Sequence, residues 1–401
     1  MYDILLLSLP KMDKDKPSPA PAYLKSILNQ KGFSSKFIDG NFLESEEKIL
    51  NEITKNTFKW LGISVFSYEQ IEIAQRIGKK FPNVIYGGSG VSKNWGKKNY
   101  IVGEGEYALV EFLKGNYNYP GINGLEPRQI DDLNNLPAPD YSDVLENGYK
   151  NYTMSGSRGC VRNCSFCDVA NIWPKYRWWN GDIVAKNMHI IAEQTKTENI
   201  TFSDSLVNGS MKHFRELCYN LAKTERKLNW SGQFIIRDKK TFSQTDFDNL
   251  GNSGCSQLSI GIESGSETVR RHMKKSFSNE DLDYFLNNLN DRKIKMKFLL
   301  IVGYPTETDK DFKETLELLK KYKHISKNIQ VSPHMMLVDR ETPLDIHHRD
   351  LFDEYGFYFK SQFNNYSSRL KRFKKIFEVG QELGYGFKQH ALDKLEKFKE
   401  I

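Results

Sequence analysis

The sequence predicts an α/β protein: a parallel sheet covered on both faces, then a partial (β/α)6 barrel, then a helical C-terminal extension. Three observations predict it. Apolar runs of strand length alternate with amphipathic helical patterns from Tyr2 to Lys114, as expected of strands joined by crossover helices. A stretch rich in Gly, Pro, Asn and Asp then interrupts the alternation. From Tyr152 it resumes for six further strands, fewer than the eight of a closed barrel. The expected boundaries are residues 1–115 for the first domain, 116–150 for a linker, 151–344 for the second domain and 345–401 for the extension.

Taken in order, Tyr2–Leu9 is a strand whose Ile4-Leu5-Leu6-Leu7 run reads as buried. Ala20–Gln30 is an amphipathic helix behind the loop Pro17-Ser18-Pro19-Ala20-Pro21. Strands are expected at Ser35–Ile38, Trp60–Phe66, Asn83–Tyr86 and Tyr100–Val102, with helices at Glu69–Lys80 and up to Lys114. Gly87, Gly88, Gly103 and Gly105 fall at the carboxyl ends of strands, where parallel sheets bind ligands. Asn134-Asn135-Leu136-Pro137-Ala138-Pro139-Asp140 typifies the linker. The six later strands are Tyr152–Ser155, Asn199–Ser203, Gln233–Arg237, Gln257–Ile262, Lys295–Val302 and Ile329–Leu337. Helices at Met211–Lys223, Asn279–Asn290 and Asp309–Tyr322 separate some of them. After Pro343 the pattern loosens, and Ser367–Gln381 and Gln389–Lys399 read as amphipathic helices.

Composition excludes some classes. The net charge is +7, from 58 Lys and Arg against 51 Asp and Glu. That mild bias permits an anionic partner but does not indicate nucleic acid. The basic run Arg369-Leu-Lys-Arg-Phe-Lys-Lys375 reads as a solvated helix face. No run approaches the ~18 apolar residues of a membrane span, and the N-terminus lacks the pattern of a signal peptide. The expected compartment is the cytosol. Five cysteines, three of them within Cys160–Cys167, suit a metal or cluster site better than a disulfide framework.

Those three stand in Ser157-Arg158-Gly159-Cys160-Val161-Arg162-Asn163-Cys164-Ser165-Phe166-Cys167. Three thiolates can hold three irons of a [4Fe–4S] cluster, leaving one iron open to a ligand by the logic of catalytic metal sites. Gly159 permits close backbone approach, and Arg158 and Arg162 offset cluster charge. The alternative is zinc, which would need a fourth ligand from Cys218, Cys255 or a remote His.

The spacing Cys-x3-Cys-x-aromatic-Cys, with Phe166 as the aromatic, resembles the signature of the radical S-adenosylmethionine (SAM) superfamily. The resemblance covers about Tyr152 to Leu344 and implies several things. SAM chelates the open iron and is cleaved by one electron to methionine and a 5′-deoxyadenosyl radical. An external donor of flavodoxin or ferredoxin type supplies that electron. Asp204, after the second strand, faces the SAM amine; an ordinary helix cap is the alternative. Arg237 holds the SAM carboxylate, or makes a surface ion pair. Glu263, in Gly261-Ile262-Glu263-Ser264, approaches the ribose or the methionine part. Ile301, Val302 and Gly303 line the adenine, with Phe166 also against SAM; core packing explains the two aliphatic residues equally well. Glu307 reads as the start of a helix.

The N-terminal domain resembles the Rossmann-like cobalamin-binding-type domain that precedes many radical SAM domains, in the class B methyltransferase-like subgroup. Ser18, Gly87, Gly88, Gly103 and Glu104 are the implied cobalamin contacts. No His precedes His189, which excludes His ligation of cobalt by this domain. A domain that keeps only its packing role is the alternative. The expected function is methyl transfer to an unactivated carbon. The rivals are a cobalamin-independent cyclase or oxidase, and a non-catalytic cluster- or zinc-binding protein. Sulfur insertion would need a second cluster, for which Cys218 and Cys255 are too few. The substrate, a small molecule or a peptide, is not named by the sequence. Trp173, Tyr176, Trp178 and Trp179 could shape a pocket, although packing is the readier role, and Phe357, Tyr358 and Tyr366 could cap the barrel.

Overall fold

The computed structural model describes residues 1–11, 14–338, 341–351 and 359–397. It is an α/β structure whose chain divides into two compact units, Met1–Ser155 with Arg177–Ser203, and Gly156–Tyr176 with Asp204–Ile401.

In the first unit, strands β1 (Tyr2–Ser8), β2 (Ser35–Asp39), β3 (Phe58–Ser64) and β4 (Val84–Gly87) form a parallel sheet in the order β2-β1-β3-β4. The apolar run of β1 is sorted by strand alternation. Leu5 and Leu7 join one core, with Ile49, Ile53, Ala74 and Ile77 from the helices Glu46–Thr54 and Ile71–Gly78. Ile4 and Leu6 join the other, with Ile27, Leu28, Ala108 and Leu109 from the helices Pro19–Gln30 and Gly105–Leu113. A strand buried on both faces must be apolar throughout, so the run is a strand of this sheet.

The expected strand at Tyr100–Val102 makes only isolated bridges, Tyr86 to Tyr100 and Ile101 to Ile122. Asn99 at φ 60° and Gly103 at φ 84° bracket it, and left-handed residues at both ends cut the extended run short. Residues 116–150, linker-like in composition, are packed in place. The Tyr141 hydroxyl donates to the Thr153 carbonyl, and the buried Lys25 ammonium pairs with Asp143 at 2.6 Å and Asp140 at 3.4 Å. Strands β5 (Tyr152–Met154) and β6 (Asn199–Phe202) pair in parallel in this unit, joined through the helix Gly181–Thr195.

In the second unit, β7 (Asn229–Phe234), β8 (Cys255–Glu263), β9 (Lys295–Val302), β10 (Ile329–Met335) and a short β11 (Gly386–Phe387) lie side by side in sequential order, all parallel. The helices Gln244–Asn252, Asn279–Asp291 and Asp309–Lys321 each open on a capping box: Ser243 with Asp246, Ser278 with Asp281, and Thr308 with Asp311. Each satisfies two otherwise orphaned amides, which fixes where the helix begins.

Two further expectations need correction. The strand expected at Gln233–Arg237 lies earlier, at Asn229–Phe234. Its inward positions are Trp230, Gly232 and Phe234, and a glycine there hides the alternation. The C-terminal extension is helical at Pro343–His348, Tyr366–Glu382 and Gln389–Lys397, yet it also contributes β11, with Gly386 and Phe387 registered against Gln330 and Val331. Two residues are too few to show a period. Phe357 and Tyr358 lie outside the described residues.

Candidate active site

The cysteine loop is held from both ends by buried hydrogen bonds. At its start, the Asp204 carboxylate accepts from the Gly156 amide at 2.8 Å and the Ser157 hydroxyl at 2.6 Å. Burial pushes the Asp204 carboxyl up to about 7, against the pull of those donors. Gly159 has φ 86°, and a Cβ there would stand 2.6 Å from the Lys175 carbonyl oxygen. The close approach it permits is therefore to backbone. At the far end, the Ser165 amide donates to the Met273 carbonyl and its carbonyl accepts from the Leu344 amide. Its hydroxyl lies 2.9 Å from that of Tyr304. Beneath this end, Phe166 and Ile301 pack on an apolar group that includes Val269, Met273, Tyr304 and Met336.

Cys164 is buried and Cys160 and Cys167 partly so. Burial raises all three thiols, Cys167 up to about 11. The Arg162 amide already donates to Cys160 Sγ at 3.3 Å, and the charges of Lys275, Arg162 and Arg237 act on Cys160. Sulfurs that resist ionisation alone but face N–H dipoles and cations are a fitting donor set for an anionic iron–sulfur cluster. Among the described residues no three His, Cys, Asp or Glu converge on a point that would hold one metal ion. Thiolates on separate irons of a cluster need no such convergence. Cys218 and Cys255 are buried in the core, and burial pushes the Cys218 thiol up to about 12.

Glu263 ends β8 at a register shift against β9 and has φ 65°. A bulge of this kind re-aims a side chain at the cost of local strain. Its carboxylate pairs at 2.8 Å with Lys275, which also lies over the Phe166 ring at 5.8 Å. Burial works against the Lys275 charge, but Glu263 together with Cys164 and Cys167 outweighs it, and the ammonium's pKa stands above its usual value. Gly261 leaves room for the pair: a Cβ there would lie 2.5 Å from Glu263 Oε1 and 2.9 Å from Lys275 Nζ. Lys275 escaped the sequence reading because it follows Glu263 across a helix turn with no motif of its own.

The other candidates divide. Asp204 is turned to the Gly156 amide and the Ser157 hydroxyl, and Arg237 to main chain, donating to the carbonyls of Asn208 and Gly209. On β9 the buried positions are Met296, Phe298, Leu300 and Val302, with Ile301 on the opposite face. Ile301 and not Val302 shares a face with Phe166, as strand alternation requires. The Cβ position of Gly303 is filled by the Arg369 side chain, 2.1 Å away at Cγ. Glu307 is fully buried, accepting from the Gly303 amide at 2.7 Å and Arg372 at 2.9 Å. Of the aromatic stretch, Tyr176 fills the space left by Gly209 and Trp173 lies under Arg158. Trp179 is buried against Tyr23, and Tyr366 opens the helix Tyr366–Glu382 with its ring towards Arg369.

In the first unit, Gly87 ends β4 and Gly88 follows it, and Gly103 and Glu104 precede the helix Gly105–Leu113. A Cβ on Gly88 would lie 2.4 Å from the Val65 carbonyl, and one on Gly103 2.8 Å from Pro127. The Glu104 carboxylate accepts from Arg177 at 2.9 Å and from the Ile130 amide. Ser18 caps the helix Pro19–Gln30 without a side-chain bond. At the same end of the sheet stand two aromatics that the sequence reading passed over, Phe66 at 73% exposure and Tyr68 at 70%.

Residues 154–319 match the radical SAM superfamily. Over 196 residues the chain is 25% identical to the bacteriochlorophyllide d C-12(1)-methyltransferase of Chlorobaculum tepidum, covering 47% of this chain and 42% of that one. It is 26% identical over 226 residues to the tRNA-2-methylthio-N(6)-dimethylallyladenosine synthase of Corynebacterium glutamicum, covering 51% and 41%. The chain thus spans less than half the length of these two relatives. Its fold is similar to that of the cobalamin-dependent SAM radical enzyme OxsB with aqua-cobalamin bound, with a TM-score of 0.78, 16% identity, and coverage of 100% of this chain and 69% of that one. The methyltransferase TsrM of Kitasatospora setae, with cobalamin and a [4Fe–4S] cluster bound, gives 0.72 and 16%, covering 87% and 75%. This region of the chain is similar to a radical SAM domain. Such a domain uses a [4Fe–4S] cluster and SAM. Among the described residues no helix is long and apolar enough to cross a membrane.

Proposed function

We propose that this protein is a cobalamin-dependent radical SAM methyltransferase acting on an unactivated carbon. Cys160, Cys164 and Cys167 would hold the cluster in the second unit, part of an open (β/α)6 barrel over residues 151–344. A cluster with SAM bound supplies one-electron cleavage to methionine and a 5′-deoxyadenosyl radical, and methylcobalamin would supply the methyl group. The chain's own residues orient and shelter. Glu263 presents a carboxylate for the ribose hydroxyls, held by Lys275. Phe166 and Ile301 give SAM an apolar wall. Asp204 and Arg237 keep the backbone around it in place.

The observation that carries the cobalamin half is the likeness to OxsB across the whole chain, the N-terminal unit included. Within that unit the anticipated contacts include Ser18, whose side chain makes no cap bond, and Gly87, where a Cβ would meet only ordinary contacts, while Gly88, Gly103 and Glu104 shape the turns. Exposed Phe66 and Tyr68 suit the flat apolar face of a corrin. The test is anaerobic reconstitution with iron, sulfide, SAM and hydroxocobalamin, read by corrinoid absorbance and mass spectrometry of the products. Retained cobalamin with SAM cleavage is expected, and Phe66→Ala should weaken hydroxocobalamin retention several-fold. SAM cleavage without any cobalamin uptake would favour the cobalamin-independent rival.

A further inference from the structure

One buried cation, Lys275, lies outside the motif residues. The Lys275 side chain is 13% exposed. Its Nζ lies 2.8 Å from Glu263 Oε1 and 3.3 Å from the Gly261 carbonyl. It also lies over the ring of Phe166, 5.8 Å from the centroid, and Phe166 stands between Cys164 and Cys167 in the cysteine loop. The arrangement is costly: an ammonium is withdrawn from water, Glu263 is held at positive φ, and Gly261 must stay without a side chain. A buried ion pair gives little net stability over apolar residues of the same volume. Packing alone therefore does not account for it.

We propose that Lys275 sets the electron affinity of the cluster, with Glu263 as its counterweight. This rests on the cluster reading of the three cysteines. The step concerned is the uptake of one electron from an external reductant. No bond forms or breaks and no proton moves; the site gains one unit of negative charge. A fixed ammonium stabilises the more negative, reduced state, and the neighbouring carboxylate opposes it. Away from water both charges are weakly screened, and charge around a cluster is one of the terms that set its potential.

The two partners must therefore shift the potential in opposite directions. The experiment is a dithionite titration of the reconstituted full-length chain without SAM, followed by electron paramagnetic resonance. Lys275→Met should make reduction at least tenfold less favourable, about 59 mV lower for one electron. Glu263→Gln should make it more favourable by a similar factor, and Lys275→Arg should stay near the parent. Iron and sulfide content checks that each variant carries a full cluster. If Lys275→Met assembles none, Lys275→Arg and Glu263→Gln still decide. Potentials that stay together, or shift the same way in Lys275→Met and Glu263→Gln, would overturn the proposal while leaving the cluster reading intact. Parent protein that takes up no cluster would sink both.

Discussion

Asp204 shows how a single side chain can be assigned by its chemistry and then reassigned by its surroundings. As an exposed carboxylate it would suit an ammonium. Buried, with Gly156 and Ser157 donating to it, it secures the start of the cysteine loop. Its carboxyl holds a proton up to about pH 7 in the folded state, whereas an unfolded Asp releases it near pH 4. Across that window the folded state binds more protons, so this group's contribution to stability falls as pH rises and the penalty is complete above 7. Thermal melts of Asp204→Asn should lose part of that pH dependence between 4 and 7. Two glycines make a second contrast. At Gly254 a Cβ would lie 2.0 Å from the Leu228 carbonyl oxygen with φ 84°, and Gly254→Ala should cost about 1–3 kcal/mol in urea denaturation. At Gly261 the obstruction is two flexible side-chain ends. Gly261→Ala should therefore change stability by less than about 1 kcal/mol while lowering the rate of reductive SAM cleavage at least tenfold.

Among elements, the C-terminal helix Tyr366–Glu382 is tied to the turn after β9. Arg372 pairs with Glu307 at 2.9 Å and reaches Asp309 at 2.8 Å, and Asn364 donates to the carbonyls of Tyr304 and Glu307. What reads as a wet basic helix face from Arg369 to Lys375 is thus in part interior, with Arg369 and Arg372 both buried. Arg372→Met leaves the Glu307 carboxylate without its cation and should cost about 3–5 kcal/mol. Adding Glu307→Gln should recover most of that, as a double-mutant denaturation cycle would show. The helix starts were legible in principle, since Ser243, Ser278 and Thr308 each precede an Asp by three residues. The partner of Glu307, sixty-five positions away, was not.

At the scale of the molecule, Cys164→Ala should abolish most bound iron and SAM cleavage, with far-ultraviolet circular dichroism unchanged. The loop is held by Asp204, Ser165 and Tyr304 rather than by its thiols, so the fold does not need the cluster ligand. A variant that keeps full iron and SAM cleavage would show that Cys164 is misassigned.

The sequence by itself determined the α/β class, most strand positions and the cysteine trio, because period and spacing are local properties of the chain. It also pointed to Glu263, since Gly261-Ile262-Glu263-Ser264 is a contiguous text. Only the tertiary structure decided which charges are buried together. Lys275 over Phe166, Arg372 on Glu307 and Asp204 on the Ser157 turn are contacts made by chain closure. Their strength comes from the exclusion of water, and no local pattern of residues records where water is excluded.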